Sequence, residues 1–131
     1  MIDHISVAVR DLHKAEAFYA AALAPLGMTK LREWPDAAFG FGKKYPEFWI
    51  NKRSEMNRVA DDSGMHICLR AADGAAVDAF HEAALKAGGA SDGAPGLRPE
   101  YYAKYYAAFV RDPDGNRIEA VTFLEKAHSS S

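Results

Sequence analysis

The sequence predicts an α+β fold in which two βαβββ modules pair their sheets into a half-open barrel around a cleft. The first observation is an internal repeat. A shift of 62 positions, from His4 to His66, also superimposes Phe18 on Phe80 and Gly27 on Gly89. Self-similarity at a fixed spacing indicates a duplicated structural unit. The second observation is that strand-like and helix-like segments follow each histidine in the same order. One domain, residues 1–131, with modules at about 1–52 and 64–125, is therefore expected.

The first module begins with alternating apolar residues between Ile2 and Val9, which is the period of a half-buried strand. Asp11 can cap the helix that follows, and Gly27 can end it. Apolar residues at helical spacing between Leu12 and Leu26 predict the face that packs on the sheet. Short apolar segments separated by turn-forming residues then predict three strands, at 28–34, 37–41 and 47–51.

The second module repeats this order after a polar linker at 52–64. A strand is predicted at 65–71, and a helix capped by Asp73 is predicted to run to about Ala87. Residues 91–102 contain glycine and proline and are expected to form a loop that can include a short edge strand. The sequence from Asp112 to Asn116 is a strong tight-turn signal, which predicts a hairpin of strands at 105–111 and 117–123.

Composition restricts the function. The net charge of −2 does not favour nucleic acid or an anionic membrane as a partner, because both select clustered Lys and Arg. Neither a membrane-spanning stretch nor a signal peptide is visible, and the single cysteine, Cys68, cannot form an internal disulfide. A cytoplasmic protein acting on a small molecule is expected.

Three side chains are predicted to bind one divalent metal ion. His4 and His66 are out of phase with the apolar residues of their strands, and Glu119 is out of phase with its neighbour Ile118. All three should therefore project from the sheet face that the helices leave uncovered. Two imidazoles and one carboxylate form a ligand set for a first-row metal, with positions left open for water or substrate. The residues do not decide between Zn, Ni, Mn and Fe.

Simpler interpretations exist for the same residues. A single strand histidine is more often an ordinary polar residue than a ligand, and Glu119 could pair with Arg117 in solvent. The equivalent placement of His4 and His66 in the repeat favours the metal interpretation. His13, His81 and His128 fall on helix faces or in the tail and are expected to be solvated.

The motifs resemble the vicinal oxygen chelate superfamily, which includes glyoxalase I, extradiol dioxygenases, and fosfomycin- and bleomycin-resistance proteins. The resemblance is carried by residues 3–11 (DHISVAVRD), by Phe18-Tyr19, and by residues 109–120 (FVRDPDGNRIEA). It implies paired βαβββ modules around a divalent metal, with ligands at His4, His66 and Glu119. It also implies chelation of neighbouring substrate oxygens, with Glu119 as a general base or as a ligand only.

One departure from glyoxalase I concerns its fourth ligand, a glutamate in the last strand of the first module. Aligning the two modules places Trp49 opposite Glu119, and an indole N–H cannot ligate a metal. A site with three protein ligands instead resembles those of the extradiol dioxygenases and the fosfomycin-resistance transferases. A shift of one residue in this register would bring Glu47 nearer to the metal.

Several aromatic residues are candidates for substrate binding. Trp49, Phe39 and Phe41 are expected to form an aromatic wall. Arg98, Tyr101, Tyr102 and Tyr105 are expected on the loop that covers the cleft, where they suit a small anionic or phenolic ligand. Alternatively, the tyrosines cover a sheet edge or form a dimer contact.

Three functions remain open at this stage. The first is a glyoxalase-like lyase or isomerase, and the second is a dioxygenase or thiol transferase of the fosfomycin-resistance type. The third is a metal-free protein that sequesters a ligand, of the bleomycin-resistance type. A homodimer is expected, with modules that pair either within one chain or across two chains.

Overall fold

The computed structural model describes residues 1–124 and has the predicted two-module order. The elements are β1 (Ile5–Val9), α1 (Leu12–Leu23), a 3-10 turn (Ala24–Leu26), β2 (Thr29–Trp34), β3 (Ala38–Gly42), β4 (Phe48–Lys52), β5 (Ile67–Arg70), α2 (Gly74–Lys86), β6 (Ala90–Leu97), β7 (Tyr105–Arg111) and β8 (Arg117–Phe123). The predicted end of the second module at residue 125, and His128, lie outside the described residues.

Each module forms its own four-stranded mixed sheet. The strand orders are β1-β4-β3-β2 and β5-β8-β7-β6, and the first strand of each module runs parallel to the last. This confirms the duplicated βαβββ architecture, although the two sheets are not closed into a barrel. The expected loop at 91–102 is largely the eight-residue strand β6, whose register with β7 shifts twice. The short edge strand that the sequence allowed here is therefore present, and it is longer than expected, with glycine and proline at its irregular positions.

Both helices are capped as the sequence predicts. The Asp11 carboxylate accepts a hydrogen bond from the backbone N–H of Lys14, and the Asp73 carboxylate accepts one from Ala76. Gly27 ends the 3-10 turn with a φ of 81°, in the left-handed region that favours glycine. The apolar faces of both helices and the covered faces of both sheets contribute to one continuous core.

Buried polar contacts connect the two modules. The hydroxyl of Tyr19, on α1, donates to Asp112 at 2.6 Å, and both residues are almost fully buried. Beside this bond, the Arg10 guanidinium donates to Asp114 at 2.6 Å, and the Asn116 amide donates to the Ala8 carbonyl at 2.9 Å. The tight turn before β8 therefore fixes the first module to the second.

The segment between the modules lies against the second module. The Arg117 guanidinium donates to the carbonyls of Ser63 and Asp61, and Arg111 pairs with the Asp61 carboxylate at 2.6 Å. Arg117 therefore pairs with the linker and with Asp92 rather than with Glu119. These contacts hold the chain just before His66.

Within residues 1–124, none of the helices has the length and apolar character needed to cross a membrane.

Candidate metal centre

His66 and Glu119 meet on the uncovered face of the second sheet. The His66 Nε2 atom lies 2.9 Å from the Glu119 Oε1 atom. The side chain of Glu119 is only 2% exposed, whereas that of His66 is 47% exposed. A buried carboxylate is costly unless it is paired, so the contact with an imidazole at the solvent boundary marks a polar site.

Tyr105 and Cys68 complete the surroundings of Glu119. The Tyr105 hydroxyl donates to the second carboxylate oxygen, Oε2, at 2.5 Å, and the Cys68 Sγ atom lies 3.8 Å from the same hydroxyl. Burial and the bond to Glu119 raise the pKa of Tyr105 far above its usual range, so the phenol stays protonated as a donor. Burial, followed by the negative charge of Glu119, raises the pKa of Cys68 to about 11.

His4 has different partners. Its Nδ1 atom lies 2.7 Å from the Asp3 carboxylate, which also accepts a hydrogen bond from the Tyr45 hydroxyl at 2.8 Å. The bond to His4, followed by the bond to Tyr45, lowers the pKa of Asp3. A carboxylate on Nδ1 orients an imidazole so that Nε2 can serve as a ligand.

The described chain does not bring the three predicted ligands together. His4 and His66 both line a cleft of about 690 Å³ beside β1 and β5. However, residues 1–124 contain no group of three His, Cys, Asp or Glu side chains arranged to hold a metal ion. His66 contacts Glu119, whereas the His4 ring contacts Asp3. The three-ligand site therefore remains a prediction.

The sheet register shows which residue of the first module is equivalent to Glu119. Trp49 is paired with Ser6 across the first module's parallel strands, and Glu119 is paired with Cys68 across the second's. Ser6 and Cys68 are equivalent in the repeat, so Trp49 occupies the position equivalent to Glu119. The first module thus presents an indole where the second presents a carboxylate.

The predicted aromatic wall is wrong for two of its three members. Phe39 and Phe41 are buried on the helix-covered side and belong to the core, because they alternate with glycines that face the other way. Trp49 does lie on the uncovered face, above Gly40. Its aromatic neighbour is Trp34, at 5.7 Å between ring centroids. Trp34 was not among the predicted binding residues, although the sequence places it directly before the Pro35-Asp36 turn.

The four residues expected on the covering loop are divided. Tyr101 and Tyr102 are exposed and pack on Tyr105, with ring centroids 5.0 and 6.2 Å away. The Arg98 guanidinium instead lies over the Phe109 ring and donates to the Ala94 carbonyl. Whether any of them contacts a substrate remains a prediction.

Two βαβββ modules, each with a helix on one sheet face and polar or aromatic groups on the other, define the vicinal oxygen chelate class of fold. The model of the Glyoxalase/Bleomycin resistance protein/Dioxygenase superfamily matches residues 1–120, and the chain belongs to this family. No functionally curated protein matches the sequence.

Solved structures share the fold. A glyoxalase/bleomycin resistance protein from Albidiferax ferrireducens T118 is 30% identical, with a TM-score of 0.75 over 92% of this chain and 97% of that one. A glyoxalase-related enzyme from Fulvimarina pelagi is 17% identical, with a TM-score of 0.70 over 92% of this chain and 86% of that one. A mutant of the fosfomycin resistance protein FosX from Listeria monocytogenes, complexed with Mn(II) and 1S,2S-dihydroxypropylphosphonic acid, is 16% identical. Its TM-score is 0.70 over 95% of this chain and 90% of that one.

Proposed function

We propose that the protein is a metal-dependent enzyme, a glyoxalase-like lyase or isomerase, whose small substrate is chelated through neighbouring oxygens. The observation that carries the proposal is the contact between His66 and the buried Glu119 carboxylate on an uncovered sheet face. Packing of the sheet does not require a buried carboxylate on that face, so the pair suggests a ligand-binding role.

The spacing of these two side chains fits a metal ion. Imidazole nitrogens and carboxylate oxygens lie about 2.0–2.2 Å from Zn²⁺, so adjacent ligands of one ion are roughly 3 Å apart. The 2.9 Å between His66 Nε2 and Glu119 Oε1 agrees with this separation. Tyr105 holds Oε2 and leaves Oε1 to face the histidine.

The third ligand, His4, would come from a second copy of the chain. The bonds of Tyr19 and Asn116 fix the two modules to one another in an arrangement that does not group His4 with His66 and Glu119 within residues 1–124. In a symmetric dimer, each surface contacts its counterpart reciprocally. His4 of each chain would then join His66 and Glu119 of the other, which gives two identical sites and the expected homodimer.

The side chains divide the chemistry between them. A divalent ion held here would act as a Lewis acid on substrate oxygens and stabilise the negative charge that develops on them. If Glu119 left the metal, its Oε1 atom would accept a proton from the substrate and return it to a neighbouring atom, as an isomerisation requires. Tyr105, which stays protonated, would hold the carboxylate in place during this transfer.

A second candidate is a thiol transferase or dioxygenase with the same three ligands. The observation that favours it is Trp49, which occupies the position where a fourth, carboxylate ligand would stand. A metal-free sequestering protein is the third candidate. It would not require the pairing of His66 with a buried glutamate.

Metal content tests the proposal. Protein prepared without chelators, and supplied with Zn²⁺, Ni²⁺, Mn²⁺ or Fe²⁺, should bind one ion per chain. His66→Ala should lose that ion, and His13→Ala, on an exposed helix position, should keep it. Turnover of the methylglyoxal–glutathione hemithioacetal would favour the lyase, and its absence with every metal would favour the transferase. Full metal binding by His66→Ala would refute the site.

A further inference from the structure

We infer that an aromatic pocket on the uncovered face of the first module binds a planar aromatic group of the substrate. The aromatic pocket is the cavity of about 380 Å³ lined by His4, Ser6, Trp34, Ala38, Tyr45, Pro46, Trp49 and Asn51. The inference rests on the proposed function for the chelated end of the ligand. Binding of the ligand's aromatic end depends on the residues of the first module alone.

The indole of Trp34 is exposed and that of Trp49 is partly buried, and both line the cavity. Trp34 is 64% exposed, and its ring is tilted by 50° against that of Trp49. Neither indole belongs to the core, because the rings of Phe39 and Phe41, on the strand β3 between them, fill the helix-covered side of the sheet. Large exposed aromatic side chains that line a cavity are typical of ligand sites.

Trp49 is held in place for this role. Its indole N–H donates to the Pro46 carbonyl at 3.0 Å, which fixes the ring orientation. Its ring lies against Gly40, where an added Cβ atom would come within 2.8 Å of the indole. Gly40 therefore lets the ring lie close to the sheet and leaves the cavity open above it.

The polar end of the aromatic pocket leads to the proposed metal ligand His4. Tyr45 lines the pocket and donates to Asp3, and Asp3 in turn contacts the His4 ring. A ligand whose ring packs against the two tryptophans would therefore direct its polar end toward a metal bound at His4. The substrate class is an aryl compound that carries two neighbouring oxygens beside the ring.

The sequence offers a direct probe, because its only two tryptophans are Trp34 and Trp49. Both indole N–H signals in a ¹⁵N–¹H spectrum therefore report on the aromatic pocket. Metal-loaded protein would be titrated with mandelate, hexahydromandelate and lactate, which share one chelating group and differ in the ring. We expect mandelate to shift both indole signals and to bind about tenfold more tightly than lactate, with hexahydromandelate weaker than mandelate.

Two substitutions separate an aromatic contact from simple packing. Trp49→Leu should remove the preference for mandelate at unchanged metal content, and Trp49→Phe, which keeps a planar ring, should retain most of it. Equal affinities for mandelate and lactate would overturn the inference. The inference would also be overturned if the indole signals changed when the dimer dissociated but did not respond to any of the ligands. The second copy of the chain would then occupy the pocket.

A metal-free arm distinguishes failure of this inference from failure of the proposed function. Benzyl alcohol and cyclohexylmethanol lack the chelating pair of oxygens. A selective response of the indole signals to benzyl alcohol without metal would support the aromatic pocket even if the metal site were absent. Metal binding without any aromatic selectivity would leave the proposed function standing and refute the pocket.

Discussion

The bond that fixes the two modules can be tested by Tyr19→Phe. This change removes one hydroxyl from a fully buried ring and leaves the Asp112 carboxylate without its 2.6 Å donor. Hydrogen bonds to charged groups contribute about 1.5–3 kcal/mol. We therefore expect the free energy of unfolding to fall by about 2 kcal/mol, which lowers the Tm of a domain of this size by roughly 6–10 °C. Urea titration followed by circular dichroism measures the loss.

The pH dependence of this loss follows from Asp112. Burial raises the pKa of Asp112, and hydrogen bonds from Tyr19 and Asn116 oppose the rise. Because the folded-state pKa lies above the unfolded one, the stability that Asp112 contributes is complete below the unfolded pKa. It is lost as the pH rises through the folded value. Tyr19→Phe removes a group that lowers this pKa, so its effect should be larger at pH 8 than at pH 4.

Tyr45→Phe is the matched control for Tyr19→Phe. It also removes a hydroxyl bonded to an aspartate, but that aspartate, Asp3, is exposed. Its effect on the free energy of unfolding should be much smaller than that of Tyr19→Phe, because water replaces the lost contact at an exposed site. Equal losses for the two variants, or a loss for Tyr19→Phe that does not depend on pH, would refute the buried-bond account.

Two further predictions concern the surroundings of Glu119. Tyr105→Phe removes the donor to Oε2 and should weaken metal binding about 10–100-fold. Tyr101→Phe, which keeps the neighbouring ring, should leave metal binding nearly unchanged. Isothermal titration with Zn²⁺ measures both variants, and equal Zn²⁺ affinities for the two would contradict the positioning role of Tyr105. The pKa of Cys68 is raised from 9.0 to about 11. At pH 7.5 this thiol should therefore react with iodoacetamide about 100-fold more slowly than an unperturbed thiol. Labelling at the rate of a free cysteine would contradict the described surroundings of Cys68.

Much of the fold could be predicted because the repeat and the residue periodicity reflect local constraints. The alternation around His66 and Glu119 correctly placed both side chains on the uncovered sheet face, where they meet. Caps at Asp11 and Asp73 were visible for the same reason, since each depends on a hydrogen bond three residues away.

Features that depend on distant pairing were harder to predict. Phe39 and Phe41 looked like members of an aromatic wall, but the glycines between them face the uncovered side, so both rings lie in the core. Strand β6 is held by its pairing with β7, and its own composition is typical of a loop. The position of His4 depends on how two modules are joined, and the repeat alone cannot distinguish pairing within a chain from pairing across a dimer.

Mixed dimers test the central claim most directly. His4→Ala and Glu119→Ala should each abolish metal binding when prepared alone. Mixed and reassociated in equal amounts, they should regain about one quarter of the wild-type metal content, because half of the dimers are mixed and each mixed dimer has one intact site of two. If the mixture binds no metal while mixed dimers are shown to form, His4 does not join His66 and Glu119 of a second chain.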